Sequence, residues 1–190
     1  MRKLLHTRNI VCKGYERDDG LWDIEGSITD TKTSDLPDDD GKVWLPAGKP
    51  LHLMTLTLTV DASLTIVAAQ AATHYAPNAE CPAIASAYGA LVGMRIGPGF
   101  IGAVKRRLKG QLGCTHLTEL IGPIATTAFQ TLWKLLERQR KDKETQAAAA
   151  GQPVRPLLLD SCYALRSGGE VAVMRGWSAP DNHARLERAR

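Results

Sequence analysis

Three observations predict an α+β fold with a mostly antiparallel sheet and helices packed on one of its faces. Apolar and polar residues alternate through Leu21–Asp30 and Leu51–Val60, the period of half-buried strands. From Cys81 the apolar spacing becomes helical and stays so beyond Leu132. With 190 residues, 44% hydrophobic and 23% charged, the chain suits one sizeable core. It reads as a single domain over 1–178, with 141–156 a linker-like loop and 179–190 a frayed basic tail.

Each element has a local reason. Leu5 to Lys13 reads as a strand, closed by the polar turn Glu16-Arg17-Asp18-Asp19-Gly20. In the next strand Trp22, Ile24 and Ile28 point one way, and the same parity puts Asp30 at the end of the apolar face. Ser34 to Gly48 is acidic and rich in Pro and Gly, hence a loop. In Leu51–Val60 the residues His52, Met54, Leu56, Leu58 and Val60 share one face, with Thr55, Thr57 and Thr59 on the other. Asp61-Ala62-Ser63 then turns the chain into a strand from Leu64 to His74.

Pro82 suits a first helical turn, where its missing N–H costs nothing, and Gly93 marks a stop. Pro98 opens a second helix with Phe100, Ile101, Val104 and Leu108 inward. Gly113-Cys114-Thr115 begins a third helical region that Gly122-Pro123 interrupts. Leu157–Leu165 and Glu170–Trp177, joined by Ser167-Gly168-Gly169, alternate like a closing hairpin.

Charge and cysteine usage narrow the function classes. The net charge of +4 is concentrated in Lys105-Arg106-Arg107-Leu108-Lys109 and in the tail. Only Phe100 lies near the first cluster, so the interleaved aromatics of a single-strand nucleic-acid groove are missing and a solvated helix face is expected. No apolar run reaches the roughly 18 residues of a membrane helix, and Met1-Arg2-Lys3-Leu4-Leu5 lacks a signal's apolar region; a cytoplasmic protein is expected. Cys12, Cys81, Cys114 and Cys162 are dispersed without a CxxC pair, so each is a buried thiol, a ligand or a nucleophile instead of a disulfide half. The chain has no GxxxxGK[ST], HExxH or GxSxG motif, and Gly93 to Gly99 reads as a helix–helix turn.

Two groups of residues carry chemistry. Cys114, at a helix start, sits near unpaired N–H groups that favour thiolate, with His116 in the same turn as base or ligand; the alternative is a buried thiol beside a capping histidine. Cys81, Cys114 and His116 also make three ligands for zinc or iron, with His52, His74 or Asp30 as a fourth. The second group is amino-terminal. His6 and Arg8 share a strand face, and Arg17, Asp18 and Asp19 occupy the following turn. There a cation could hold an anionic substrate beside an acid or base, or the turn could simply be stapled by an Arg–Asp pair. Trp22, Tyr75 and Tyr88 pack the core or wall an aromatic pocket. Asp160 and Cys162 share the face of a supposed strand, where Cys162 reads as core.

His6-Thr7-Arg8, Arg17-Asp18-Asp19-Gly20-Leu21-Trp22, Asp30, Gly113-Cys114-Thr115-His116-Leu117 and Asp160-Ser161-Cys162-Tyr163-Ala164-Leu165 together resemble a bacterial domain-of-unknown-function family, number 2889. The resemblance runs over roughly His6 to Trp177 and implies company with catabolic genes, including those for aromatic compounds. Leu51–Leu132 is also similar in layout to the U-type iron–sulfur scaffold family, on Cys81-Pro82-Ala83-Ile84-Ala85-Ser86 and Cys114. Two departures stand out: Ala47-Gly48-Lys49-Pro50 replaces that family's first cysteine, and His116 follows Cys114 by two residues instead of preceding it.

The expected function is a small-molecule catabolic enzyme, a cofactor-independent lyase cleaving C–C or C–O bonds of an anionic or aromatic compound. His116, Cys114, His6 and Asp19 are its candidate catalytic residues, and Arg8, Arg17, Trp22, Tyr75 and Tyr88 its substrate contacts. The alternative is a zinc or iron–sulfur protein built on Cys81, Cys114 and His116. Neither a membrane nor a nucleic acid is an expected partner, and a homo-oligomer is compatible with the composition.

Overall fold

The computed structural model describes residues 1–150, 156 and 158–178. They fall into two compact units, divided between Lys134 and Leu135.

The first unit is built on four antiparallel strands, β1 (His6–Glu16), β2 (Trp22–Lys32), β5 (Pro50–Val60) and β6 (Ile66–Tyr75), lying in the order β1-β2-β5-β6. It is the mostly antiparallel α+β arrangement that the alternation predicts. β1 and β2 form a hairpin whose turn is closed by Arg17 N–H donating to Leu21 O and by Gly20 at φ 78°. The expected loop Ser34 to Gly48 holds a small extra ladder, β3 (Leu36–Pro37) with β4 (Val43–Leu45).

One sheet face is the core. Ile24, Ile28, Met54, Leu56, Leu58, Val60 and Ile66 are all fully buried, the in-phase residues of their strands. Beyond β6 runs a 3₁₀ helix, Cys81–Leu91, with Pro82 in its first turn, then α1 (Phe100–Arg107). α2 (Thr115–Glu119) and α3 (Ile121–Thr131) follow, abutting at Leu120; Pro123 falls in the first turn of α3 and marks the expected break.

α3 lies directly on β1 and β2 because two strand residues have no side chain. A methyl group at Gly26 would stand 2.6 Å from Ile124 Cδ1, and one at Gly14 would overlap the Thr131 side chain. Leu117, Leu120, Ile121, Ile124 and Ala128 close the core from the helix side.

The second unit corrects two expectations. α4 (Trp133–Ala149) runs from the end of the first unit through residues 141–149, where a linker-like loop was expected. Seven of the nine residues there are Lys, Glu, Gln or Ala, all strong helix formers, and Arg140 bonds Glu144 at 2.6 Å one turn on. In place of the closing hairpin stand a 3₁₀ turn (Tyr163–Leu165) and α5 (Glu170–Met174). Short apolar runs do not distinguish strand from helix, and Asp160 at φ 65°, bonded to Ser167 N–H and Oγ–H, turns the chain back instead of extending it. Cys162 is therefore exposed, not core. Residues 151–155 of the supposed linker, 157 at the start of the supposed hairpin, and the basic tail, 179–190, lie outside the described residues.

Candidate functional site

The core face of the sheet is apolar except at one end. There the cross-strand row Arg8–Asp30–His52 runs over three adjacent strands, because Arg8 pairs with Asp30 on β1–β2 and Asp30 pairs with His52 on β2–β5. The β2–β5 pairing shifts register immediately after Asp30. α2 brings His116 against this row from the helix layer.

Asp30 is the centre of the group. Its side chain is 1% exposed, and such a carboxylate needs compensation. Arg8 supplies it through two bonds, Nε–H to Oδ1 at 2.7 Å and Nη2–H to Oδ2 at 2.8 Å. These bonds outweigh burial and, helped by the positive charge of Arg8, hold the carboxyl pKa down to about 2 from 3.8. Ionised throughout the neutral range, Asp30 can only accept hydrogen bonds. His52 Nδ1, 3.0 Å from Oδ2, must therefore be the donor, which leaves Nε2 as the basic nitrogen of the neutral ring.

Two further imidazoles approach the same carboxylate. His6 Nε2 lies 3.3 Å from Oδ1 and His116 Nε2 lies 3.7 Å from Oδ2. The His116 ring stacks on His52 with centroids 3.8 Å apart. Burial first, then electrostatic coupling to His52 and to the Arg8 guanidinium, push the His116 pKa below the ordinary imidazole value; Asp30 and Glu119 oppose this only partly. Neutral His116 thus presents a lone pair at neutral pH. Among the described residues Asp30, His52 and His116 are also the group whose donor atoms all lie within 4.8 Å of one another, the spacing of a metal-binding set.

The sequence-predicted residues separate accordingly. His6, Arg8 and His116 converge here. Cys114 is close by, its sulfur 4.0 Å from that of Met54, two residues along β5 from His52. Cys81 is not gathered with Cys114 and His116, so the expected metal trio does not form; Asp30 and His52, suggested only as fourth ligands, take its place beside His116. Asp19 and Arg17 do not belong to the group. They pair with each other at 2.6 Å in the exposed β1–β2 turn, eight strand residues beyond Arg8, roughly 26 Å at a strand's rise per residue. Trp22 starts β2 at that same distant end. Tyr75 is 56% exposed and pairs with Leu53, out of phase with His52. Tyr88 is fully buried, and its hydroxyl bonds Cys114 and Thr118, so it does not wall a pocket.

An antiparallel sheet carrying a buried carboxylate paired with a half-buried guanidinium, and three imidazoles at the same end under a short helix, defines an α+β domain with a polar centre on its core face. The chain belongs to the family described as "Protein of unknown function (DUF2889)", whose model matches residues 6–130. That match holds the whole of the Asp30 group and ends before Asp160-Ser161-Cys162-Tyr163-Ala164-Leu165. No curated protein and no solved structure matches the chain. Among the described residues no helix is long and apolar enough to cross a membrane.

Proposed function

We propose that the protein is a small-molecule lyase that cleaves a C–C or C–O bond of an anionic or aromatic compound by acid–base chemistry at the Asp30 group. The observation that carries this reading is one buried carboxylate holding a guanidinium and orienting an imidazole, with a second, neutral imidazole stacked on the first. Nucleotide and metal cofactors have no part in it.

Each group then has a task. Arg8 uses the Nε–Nη2 edge on Asp30; its Nη1 edge, on a side chain 39% exposed, takes the substrate's carboxylate or phenolate. His52 Nε2 accepts a proton from a substrate hydroxyl. For C–C cleavage, the O–H electron pair forms the new carbonyl and the C–C pair passes to the fragment that stabilises a carbanion. The proton returns from the imidazolium to that carbon, so the step is redox-neutral. Two rings 3.8 Å apart resist holding two charges, so His116 stays neutral while His52 is protonated. His6 stands on the other side of Asp30 as a second proton carrier. Four unpaired thiols suit this chemistry to a reducing, cytoplasmic setting.

A metabolite screen followed by His52→Ala, His116→Ala and Arg8→Ala variants tests the reading. Each variant is expected to lose at least about 100-fold in turnover, the usual worth of a positioned acid or base. Full turnover in His116→Ala and Arg8→Ala together would refute it.

The donor spacing favours a second reading, a zinc or iron centre on Asp30, His52 and His116. Bonds of about 2.1 Å to a tetrahedral ion set donors roughly 3.4 Å apart, and the 3.0 and 3.7 Å separations from Asp30 bracket that value. Arg8, already on both Asp30 oxygens, opposes a second cation there. Metal analysis of protein purified without chelator decides: a stoichiometric ion that His116→Ala loses would put this reading first.

A further inference from the structure

We infer that Tyr88 is a positioning residue for His116, acting through the first turn of α2. The inference rests on the proposed role of His116, but its geometry is independent of the reaction.

α2 is five residues long, and its capping residue, Cys114, makes no side-chain bond to the helix end. A single turn is unstable alone, because nucleation fixes several dihedrals for one bond. Something outside the helix must hold it, and the fully buried Tyr88 of the 3₁₀ helix Cys81–Leu91 does so.

Its hydroxyl has three partners, and their chemistry fixes the direction of every bond. The Cys114 carbonyl, 2.8 Å away, can only accept, so the single phenol proton goes there. Cys114 N–H, at 3.2 Å, can only donate, and takes one lone pair. Thr118 Oγ, at 2.7 Å, must therefore donate to the other. The same Cys114 carbonyl also receives Thr118 N–H at 2.9 Å, the first bond of the turn. Tyr88 thus ties together both ends of the segment Cys114–Thr118, whose midpoint is His116. Cys114 contributes through its backbone.

The prediction is specific to one half of the site. Tyr88→Phe keeps the ring and removes only the hydroxyl, so the core stays filled while α2 loses its tie. His116 then leaves the His52 stack, whereas Arg8 and Asp30, held on adjacent strands, stay in place. In isotope-labelled full-length protein, cross-ring nuclear Overhauser contacts between His52 and His116 should fall at least about twofold. The Arg8 Nε–H resonance should not move. Thr118→Val, which deletes one of the three bonds and spares the aromatic ring, should weaken the same contacts less. It decides the matter if Tyr88→Phe does not fold. Wild-type cross-ring contacts in a folded Tyr88→Phe, or in Thr118→Val when that variant decides, would reduce Tyr88 to core packing and overturn the inference. A protein in which these contacts respond as predicted but His116→Ala still turns over substrate would refute the catalytic reading alone.

Discussion

Replacing Asp30 with Asn isolates the electrostatic term at the centre of the site. The side chain keeps its shape and loses its charge, and its amide hydrogens face donors of Arg8. The carboxyl pKa lies near 2 in the folded chain against an ordinary 3.8, which at ~1.36 kcal/mol per unit corresponds to roughly 2.5 kcal/mol favouring the native state at neutral pH. Arg8 is 39% exposed and can hydrate when released, so the cost of the substitution should be about 1–2.5 kcal/mol, below that of breaking a fully sequestered pair. The sign follows from the direction of the shift. A depressed carboxyl pKa stabilises the fold above pH 3.8, and the contribution fades as pH falls toward 2. Urea unfolding of wild type and Asp30→Asn, followed by circular dichroism at steps between pH 7 and pH 2, should therefore show a stability gap that is widest at neutral pH and closes below about pH 4. A gap independent of pH, or one under about 0.5 kcal/mol at pH 7, would refute the ion-pair account.

Other consequences can be checked with the same protein. Gly26→Ala places a methyl 2.6 Å from Ile124 Cδ1 and should cost about 1–3 kcal/mol in denaturant unfolding, since α3 must lift from the sheet. Leu58→Ala, at a fully buried position, should cost about 2–5 kcal/mol in the same assay. Because burial and nearby groups lower the pKa of His116, turnover of any substrate found should hold through neutral pH and fall only below the ordinary imidazole value; an acid limb at or above that value would contradict the requirement that His116 stay neutral. Arg17→Ala and Cys81→Ser should leave turnover unchanged, since neither residue reaches the Asp30 group.

Much of this was legible before any coordinates. The shared face of His6 and Arg8, the place of Asp30 at the end of an apolar stripe, His52 among core residues and His116 beside a helix start were all matters of parity or capping. Their convergence on Asp30 was harder to read. Half of it was available: counting back eight residues on each strand from the Glu16–Trp22 pair at the turn lands Arg8 opposite Asp30. The other half was not. Seventeen residues, 33–49, separate β2 from β5, and a connection that long does not set a register. The misassigned segments failed for a different reason. Lys141 to Ala149 has the charge and low complexity of a linker but the helix propensity that decides its structure, and Glu170 to Met174 is too short for period two and period 3.6 to differ. Asp19 and Arg17 looked functional because ionisable residues cluster in their turn, but a turn also collects such residues for solubility and local bonding.

The single row Arg8–Asp30–His52 makes correct strand alignment a condition for any chemistry here. A strand displaced by two positions would keep its apolar face on the core, yet it would carry the guanidinium or the imidazole roughly 7 Å along the sheet from the carboxylate. Such a molecule could pass for native by size and circular dichroism and be inert. The fraction of a preparation in which the Arg8–Asp30 bond has formed is therefore the measure of its competent population, and it should be known before any failed assay is taken as evidence about substrate.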